Sequence, residues 1–220
     1  MKPKSLLLYL FLVIFATFSV SKKAYCILEQ DLNSGISGYV TFDQPDENKK
    51  TTIHAKVKGF KPGTAHGFHI HEKSDYSDGC KSTGPHYNPT SKEHGPPFEE
   101  NRHVGDMGNL RAQASPDAEI LYQDDVITLY GKYSILNRAC MVHEKEDDLG
   151  KGGAPDSKTT GNAGGRIACG TVIEGPLPEK YLVKESKFLW KFLAFIVGFG
   201  LIFILCFRAN RRYKRLEETS

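Results

Sequence analysis

The sequence predicts an all-β domain in which short antiparallel strands form a sandwich or barrel. Apolar side chains alternate with polar ones over many short stretches, and turns rich in glycine and proline separate these stretches. No convincing amphipathic helix occurs before residue 188. Many short strands between frequent turns are typical of antiparallel sandwiches and barrels. The 220 residues leave room for one such domain with an extension at each end.

The predicted strands follow each other from the start of the domain. Before the middle of the chain they cover residues 23–29, 36–42, 51–58 and 67–72. After it they cover residues 108–114, 118–123, 126–130, 138–143 and 166–173. The stretch between these two groups is rich in turn residues and predicts long loops rather than strands or helices.

The first 21 residues have the form of a secretory signal peptide. Lys2 and Lys4 precede an apolar run, and the small residues Ser19 and Ser21 fit a cleavage site after residue 21. The alternative is an uncleaved membrane anchor. We expect the domain, residues 22–173, to be exported.

The other end of the chain predicts a single membrane-spanning helix. Residues 188–207 are apolar apart from Lys191, and twenty helical residues span a bilayer core. Residues 174–187, with two prolines, predict a stalk, and the basic tail 208–220 favours the cytoplasmic side. We therefore expect a type I single-pass protein in the lipid bilayer, with its domain extracellular or lumenal. The alternative is a buried core helix.

Charge does not favour a nucleic-acid partner. The chain has a net charge of +3, yet residues 22–183 sum to −4 and the segment from Lys184 onward sums to +5. The sequence has no basic stripe interleaved with aromatic residues, so we expect no nucleic acid.

The stretch from Gly67 to Asp106 predicts a metal site. It holds five of the eight histidines, namely His69, His71, His86, His94 and His103. Imidazole is a preferred ligand of copper and zinc. His69 and His71 stand two apart in a predicted strand and therefore share one face. The loop histidines with Asp106 fit a tetrahedral zinc ion. The alternative is a set of surface histidines on a polar loop.

Two further stretches carry candidate site residues. His143 ends a predicted strand and is followed by Glu146, Asp147 and Asp148, where a carboxylate could orient metal-bound imidazoles. Arg166 ends a glycine-rich loop and would attract a small anion beside an open metal position. The alternatives are an ordinary acidic turn and a surface arginine.

Four of the five cysteines are candidates for a disulfide, because Cys206 falls in the predicted membrane segment. They allow three pairings. Cys26 and Cys140 stand in apolar strands, where cysteine is commonly a buried free thiol. We therefore favour a bond between Cys80 and Cys169, which an exported domain can keep.

At this point the motifs GFHIHE, GPHYNP, KEHG, RHVGDMGN, VHEKEDDLGKGG and GNAGGRIACG resemble the copper/zinc superoxide dismutases. The similarity extends from about residue 23 to 173. It implies an eight-stranded Greek-key β-sandwich or barrel, and an enzyme that converts two superoxide ions and two protons to oxygen and hydrogen peroxide. The family is often dimeric, so the resemblance leaves a homodimer open.

The resemblance also implies a role for each site residue. Copper would be held by His69, His71, His86 and His143, and zinc by His86, His94, His103 and Asp106. His86 would bridge the two ions and carry a proton. Asp147 would link a histidine of each ion, Arg166 would guide the anion, and Cys80 would pair with Cys169.

One segment departs from the family pattern. Pro155 replaces an acidic position in the loop before Arg166, and Lys158 stands one residue earlier than the lysine of the family. This departure concerns the steering of superoxide and leaves the metal ligands unchanged. The rival function is a non-catalytic copper- and zinc-binding sandwich, either a metal carrier or a structural adhesion domain. Such relatives usually lack a copper ligand or the arginine, and this sequence has both.

Overall fold

The computed structural model describes residues 21–182, and nearly all of its regular structure is β-strand. The strands are β1 (Lys22–Gln30), β2 (Ser37–Gln44), β3 (Thr51–Lys58), β4 (Ala65–His71), β5 (Ser77–Cys80), β6 (Asp106–Arg111), β7 (Asp117–Asp124), β8 (Ala139–His143) and β9 (Arg166–Glu174). A one-turn α-helix covers Ser157–Thr160, and short 3₁₀ turns cover Lys81–Thr83 and Glu179–Tyr181.

Eight of these strands form one nearly closed antiparallel barrel. Their order is β6-β4-β8-β9-β1-β2-β3-β7, and β6 and β7 are the two edges that approach one another. The chain crosses from β7 back to β8, which pairs with β4, so the connections are of Greek-key type. Alternate side chains of the strands fill the interior, including the fully buried Val40, Phe42 and Ile53. The predicted all-β barrel is confirmed.

Residues 126–130 do not form the strand that their alternation predicts. Ile127 and Leu129 are buried, as alternation requires, but the backbone has no partner strand. Asp124 Oδ1 accepts the Val126 and Ile127 N–H groups, and Gln44 Oε1 accepts that of Leu129. Side chains therefore satisfy this backbone in a loop. The prediction of a strand was wrong because alternation reports burial but does not report pairing.

Sequence reasoning also missed β5. Its residues Ser77, Asp78 and Gly79 are exposed, and only Cys80 is buried. A strand of four residues without apolar alternation gives no signal of period two. The strand matters for the site, because it leads into the loop that surrounds Arg166.

The predicted membrane helix, 188–207, and the basic tail, 208–220, lie outside the described residues, as does all of the predicted signal peptide, 1–21, except residue 21. Across residues 21–182, no helix is long and apolar enough to cross a membrane. The chain divides into a compact unit up to Leu177 and a second unit from Pro178. The second unit contributes only the turn Glu179–Tyr181 and its neighbours to the described part.

Candidate metal centre

Strand β4 places the first two histidines at the end of the barrel. His69 and His71 share one face of the strand and are buried. Strand β8 pairs with β4 and ends at His143, so its imidazole lies beside them, with His71 Nε2 and His143 Nε2 3.1 Å apart. His86 joins β4 from the following loop through a bridge to His71. Antiparallel pairing thus brings together histidines that are 74 positions apart in sequence.

Four buried imidazoles form the first group that can hold an ion. His69, His71, His86 and His143 each offer one nitrogen, and these nitrogens all lie within 4.8 Å of one another. Within the described residues, the buried His69 Nδ1 and His86 Nε2 have no hydrogen-bond partner. Buried polar atoms without a partner are costly, so lone pairs that converge in this way fit a metal ligand set. Four imidazole nitrogens suit copper.

The remaining ring nitrogens of this group are held by the protein. His71 Nδ1 donates to the Gly84 carbonyl at 2.8 Å, and His143 Nδ1 donates to the Gly164 carbonyl at 3.2 Å. A carbonyl accepts only from a protonated nitrogen, so each Nε2 keeps its lone pair toward the partner imidazoles. The protein therefore selects the tautomers that a cation requires.

A second group converges on a single oxygen, Asp106 Oδ1. It lies 3.1 Å from His86 Nδ1, 3.0 Å from His94 Nδ1 and 3.2 Å from His103 Nδ1. Three imidazole nitrogens and one carboxylate oxygen are a ligand set suited to tetrahedral zinc. Asp106 Oδ2 accepts the backbone N–H groups of Gly95 and His103, which fixes the carboxylate. His86 contributes a nitrogen to each group and stands between them.

A grouping of the ligand atoms by their mutual distances alone gives a slightly different second group. One set of ligand atoms that lie within 4.8 Å of one another combines Asp106, His86 and His94 with His69 rather than with His103. His69 Nε2, however, is engaged with Asp147 at 2.8 Å, and its Nδ1 belongs to the first group. His103 Nδ1 also contacts Asp106, at 3.2 Å, and the sequence prediction names His103 as the fourth member of this group.

Asp147 links the two groups from outside. Its Oδ2 accepts from His69 Nε2 and its Oδ1 accepts from His94 Nε2, both at 2.8 Å. All three side chains are fully buried. A carboxylate that accepts the second N–H of a ligating imidazole fixes both its tautomer and its orientation. The acidic stretch after His143 is therefore more than a solvated turn.

Charge and burial set the protonation of these groups. Burial lowers the pKa of His69, His71 and His86, and it lowers the pKa of His143 to about 3, so all four rings are neutral near pH 7. Burial opposes charge on His94 too, but its contacts with the carboxylates of Asp106 and Asp147 raise its pKa to about 9.

Arg166 lies beside the first group and is half-buried. Its guanidinium donates to the Cys80, Lys81 and Gly84 carbonyls and to Thr83 Oγ1, at distances between 2.6 and 3.1 Å. Desolvation lowers the pKa of Arg166, which still leaves it charged. These acceptors carry no full charge, so the positive charge of the guanidinium is available to an anion near the histidines.

The lysine that departs from the family pattern is engaged by an acid. Lys158 Nζ lies 3.4 Å from Glu93 Oε2, and both side chains are more than half exposed. Lys151 pairs in the same way with Glu99 at 2.8 Å. These pairs connect the loop before Arg166 with the histidine loop. They also partly neutralise Lys158 as a source of attraction for anions.

The disulfide is the pairing that the sequence favours. Cys80 and Cys169, 89 positions apart in sequence, are bonded, and Cys26 and Cys140 are buried free thiols. The bond ties the start of the Arg166-binding loop to β9. The prediction of this pairing is confirmed.

Sequence reasoning missed several residues that support the site. Asn109 exchanges two hydrogen bonds with the backbone of Asp147, at 2.8 and 2.9 Å. His66 contacts the carbonyl oxygen of His143 through its Nδ1, at 2.9 Å. Gly161 has a φ of +66°, and a Cβ there would collide with Asp147 Oδ1 and with His94. A polar residue within a strand was the one available signal for Asn109.

Comparison with known proteins agrees with this geometry. Residues 36–172 match the family model of copper/zinc superoxide dismutase. The chain is 46% identical over 149 residues to Cu-Zn superoxide dismutase 5 of Dictyostelium discoideum, covering 68% of this chain and 95% of that protein. It is 52% identical over 143 residues to the extracellular Cu-Zn superoxide dismutase of Drosophila melanogaster, covering 65% of this chain and 78% of that one.

Proposed function

The chain belongs to the copper/zinc superoxide dismutase family, and from this premise we propose that its exported domain disproportionates superoxide at copper held by His69, His71, His86 and His143. It is an oxidoreductase that uses copper and zinc. The observation that carries the proposal is the convergence of four buried imidazoles beside a guanidinium. When bound, copper supplies one-electron oxidation and reduction, and zinc, held by His86, His94, His103 and Asp106, keeps His86 in place.

The residues of the chain divide the remaining work. Arg166 raises the local concentration of superoxide, which is a small anion, and orients it beside the first histidine group. His86 holds and returns a proton at Nε2, the nitrogen that faces the first group, because its Nδ1 is engaged on the side of Asp106. Asp147 keeps His69 and His94 in their required tautomers. Two superoxide ions and two protons then yield one oxygen and one hydrogen peroxide.

The rival function is a metal-binding domain without turnover. Such a domain needs neither an arginine at the first group nor a histidine shared by both groups. The position of Arg166 beside His71 and the double contact of His86 therefore favour an enzyme over a metal carrier or an adhesion domain.

For the whole chain we propose residues 1–21 as a signal peptide, 174–187 as a stalk and 188–207 as a membrane helix, with residues 208–220 in the cytoplasm. The relative in Drosophila melanogaster is named as extracellular, which supports export of the domain. The apolar composition of 188–207 and the basic residues after it support the tether.

We also propose that the exported domain forms a homodimer. Ile173 on β9 is 45% exposed, and a groove beside it is lined by Ile27, Tyr76 and Gly170. An apolar surface beside a groove suits a second copy of the chain. Sedimentation equilibrium of the exported domain would give twice the monomer mass, and an Ile173→Lys variant would give the monomer mass. A monomeric parent domain would contradict the dimer.

Intact cells that express the full chain test activity and topology together. The assay follows superoxide-dependent reduction of cytochrome c, which does not cross membranes. We expect the cells to inhibit this reduction in a copper-dependent way. The inhibiting activity should stay with the cells when they are washed and should be released from them by brief proteolysis. A chain truncated before residue 188 should place the activity in the medium. Activity that appears only after lysis would contradict the outward orientation.

A further inference from the structure

Asp31 is hydrogen-bonded to two segments of the chain that meet at Arg166. It lies in the turn after β1, is half-buried and belongs to neither histidine group. Its Oδ2 accepts the Cys80 N–H at 2.8 Å, and its own N–H donates to the Ile167 carbonyl at 2.8 Å. Asp31 thus holds the loop that begins at Cys80 with its side chain and β9 with its backbone.

The loop is shaped to receive this carboxylate. Gly79 has a φ of +54°, and a Cβ at that position would lie 2.8 Å from Asp31 Oδ2 and 3.0 Å from Oδ1. Only a residue without a side chain leaves room for the carboxylate against the backbone. The contact is therefore close on both sides and depends on both residues.

The same peptide segment binds Arg166. The Cys80 N–H is held by Asp31, while the Cys80 carbonyl accepts from Arg166 Nη1 at 3.0 Å. The other acceptors of the guanidinium follow within four residues, at Lys81, Thr83 and Gly84. A rotation of the backbone at Cys80 would move all of these acceptors relative to the guanidinium.

The disulfide does not prevent such a rotation on its own. It ties the Cys80 side chain to β9 but leaves the adjacent peptide planes free to turn about φ and ψ. A hydrogen bond to the N–H of Cys80 restrains this freedom directly.

We propose that Asp31 is a positioning residue that sets the orientation of Arg166 toward anions at the copper site. It acts through the peptide of Cys80, 49 residues away in sequence, and touches neither substrate nor metal ligand. This inference rests on the proposed function, since it assigns Arg166 its role there.

The test measures the binding of azide to the full chain loaded with copper and zinc. Binding is monitored through the change in the absorption of copper. Azide is a small anion, so its dissociation constant reports the guanidinium without turnover. Asp31→Ala removes the acceptor, and we expect azide to bind about tenfold more weakly, as for loss of local anion attraction. Asp31→Asn keeps a side-chain oxygen and should bind azide nearly as the parent does.

Asp78→Ala is the matched control, because it removes one negative charge from β5, two residues before Cys80. The Asp78 side chain is exposed and pairs only loosely with Lys81, at 3.8 Å, so azide binding should be unchanged. Equal effects of Asp31→Ala, Asp31→Asn and Asp78→Ala would indicate a charge effect and overturn the proposal. Unchanged azide binding in Asp31→Ala would overturn it as well.

Gly79→Ala disturbs the contact between Asp31 and the loop through the loop residue instead. It tests the proposal if the Asp31→Ala chain does not fold or does not bind copper. Its Cβ would displace the carboxylate, so azide binding should weaken in the same direction. A folded Gly79→Ala chain with parental azide affinity would overturn the proposal. A parent chain that binds azide but consumes no superoxide would instead refute the proposed function and leave the role of Asp31 testable.

Discussion

His71 and Arg166 are joined through one atom, the carbonyl oxygen of Gly84. This oxygen accepts from His71 Nδ1 at 2.8 Å and from Arg166 Nη2 at 2.6 Å. Gly84 has a φ of +77°, a conformation that favours glycine. A ligand of the first group and the adjacent cation are therefore positioned by the same peptide.

Replacement of Arg166 should therefore weaken the approach of the substrate without removing the metals. We expect Arg166→Met to lower kcat/KM roughly tenfold or more, because the local attraction for an anion is lost. Arg166→Lys keeps the charge but loses the fork that bonds the loop, so its rate should be intermediate. Pulse radiolysis at several salt concentrations measures both effects.

The control for Arg166 is Lys58→Met, which removes an exposed positive charge on β3. Its rate and its dependence on salt should match those of the parent. An Arg166→Met enzyme with the parental rate and salt dependence would show that the guanidinium does not guide the anion.

Replacement of Asp147 should loosen both metals at once. Asp147→Ala leaves the Nε2 atoms of His69 and His94 without their buried acceptor, and loss of such a contact typically lowers metal affinity about 10- to 100-fold. Competition with a chelator, read by metal analysis, checks this. Glu146→Gln is the control, since Glu146 is exposed and bonds Arg111 instead. Full retention of both metals in Asp147→Ala would contradict the linking role.

Removal of the disulfide should destabilise the exported domain. The bond closes a loop across 89 positions, which in the chain-entropy model contributes about 4–5 kcal/mol. The Cys80→Ser, Cys169→Ser double variant should lose about that much free energy of unfolding in urea, measured without metals. A loss below about 1 kcal/mol would contradict the chain-entropy account of this bond.

The two free thiols should be inert in the folded domain. Cys26 and Cys140 are fully buried, and burial, with a contribution from the contact with Cys26, raises the pKa of Cys140 well above its usual value. A raised pKa keeps the thiol protonated at pH 8.5, and the thiolate is the reactive form. Iodoacetamide should modify neither thiol in native residues 22–180 and both in guanidinium. Rapid modification of the native domain would contradict this.

Sequence patterns predicted what depends on local spacing. His69 and His71 share a face because strands have a period of two, and glycine with proline marked the loops of His86 and His94. Contacts between residues distant in sequence were harder to predict, because Asp147 contacts two histidines only once β4 and β8 have paired. The prediction of a strand at residues 126–130 was wrong because buried residues in this loop alternate with less buried ones, as they do in a strand. Asp31 gave no signal at all, because its partner is a backbone N–H distant in sequence.

The most direct test of the central claim is superoxide consumption by residues 22–180 loaded with copper and zinc, beside a His143→Ala variant. His54→Ala serves as control, because His54 is a histidine outside both groups that pairs with Glu119. We expect fast, copper-dependent turnover in the parent and in His54→Ala, and its loss in His143→Ala. A parent domain that binds both metals but consumes no superoxide would contradict the account and leave a metal-binding domain without catalysis.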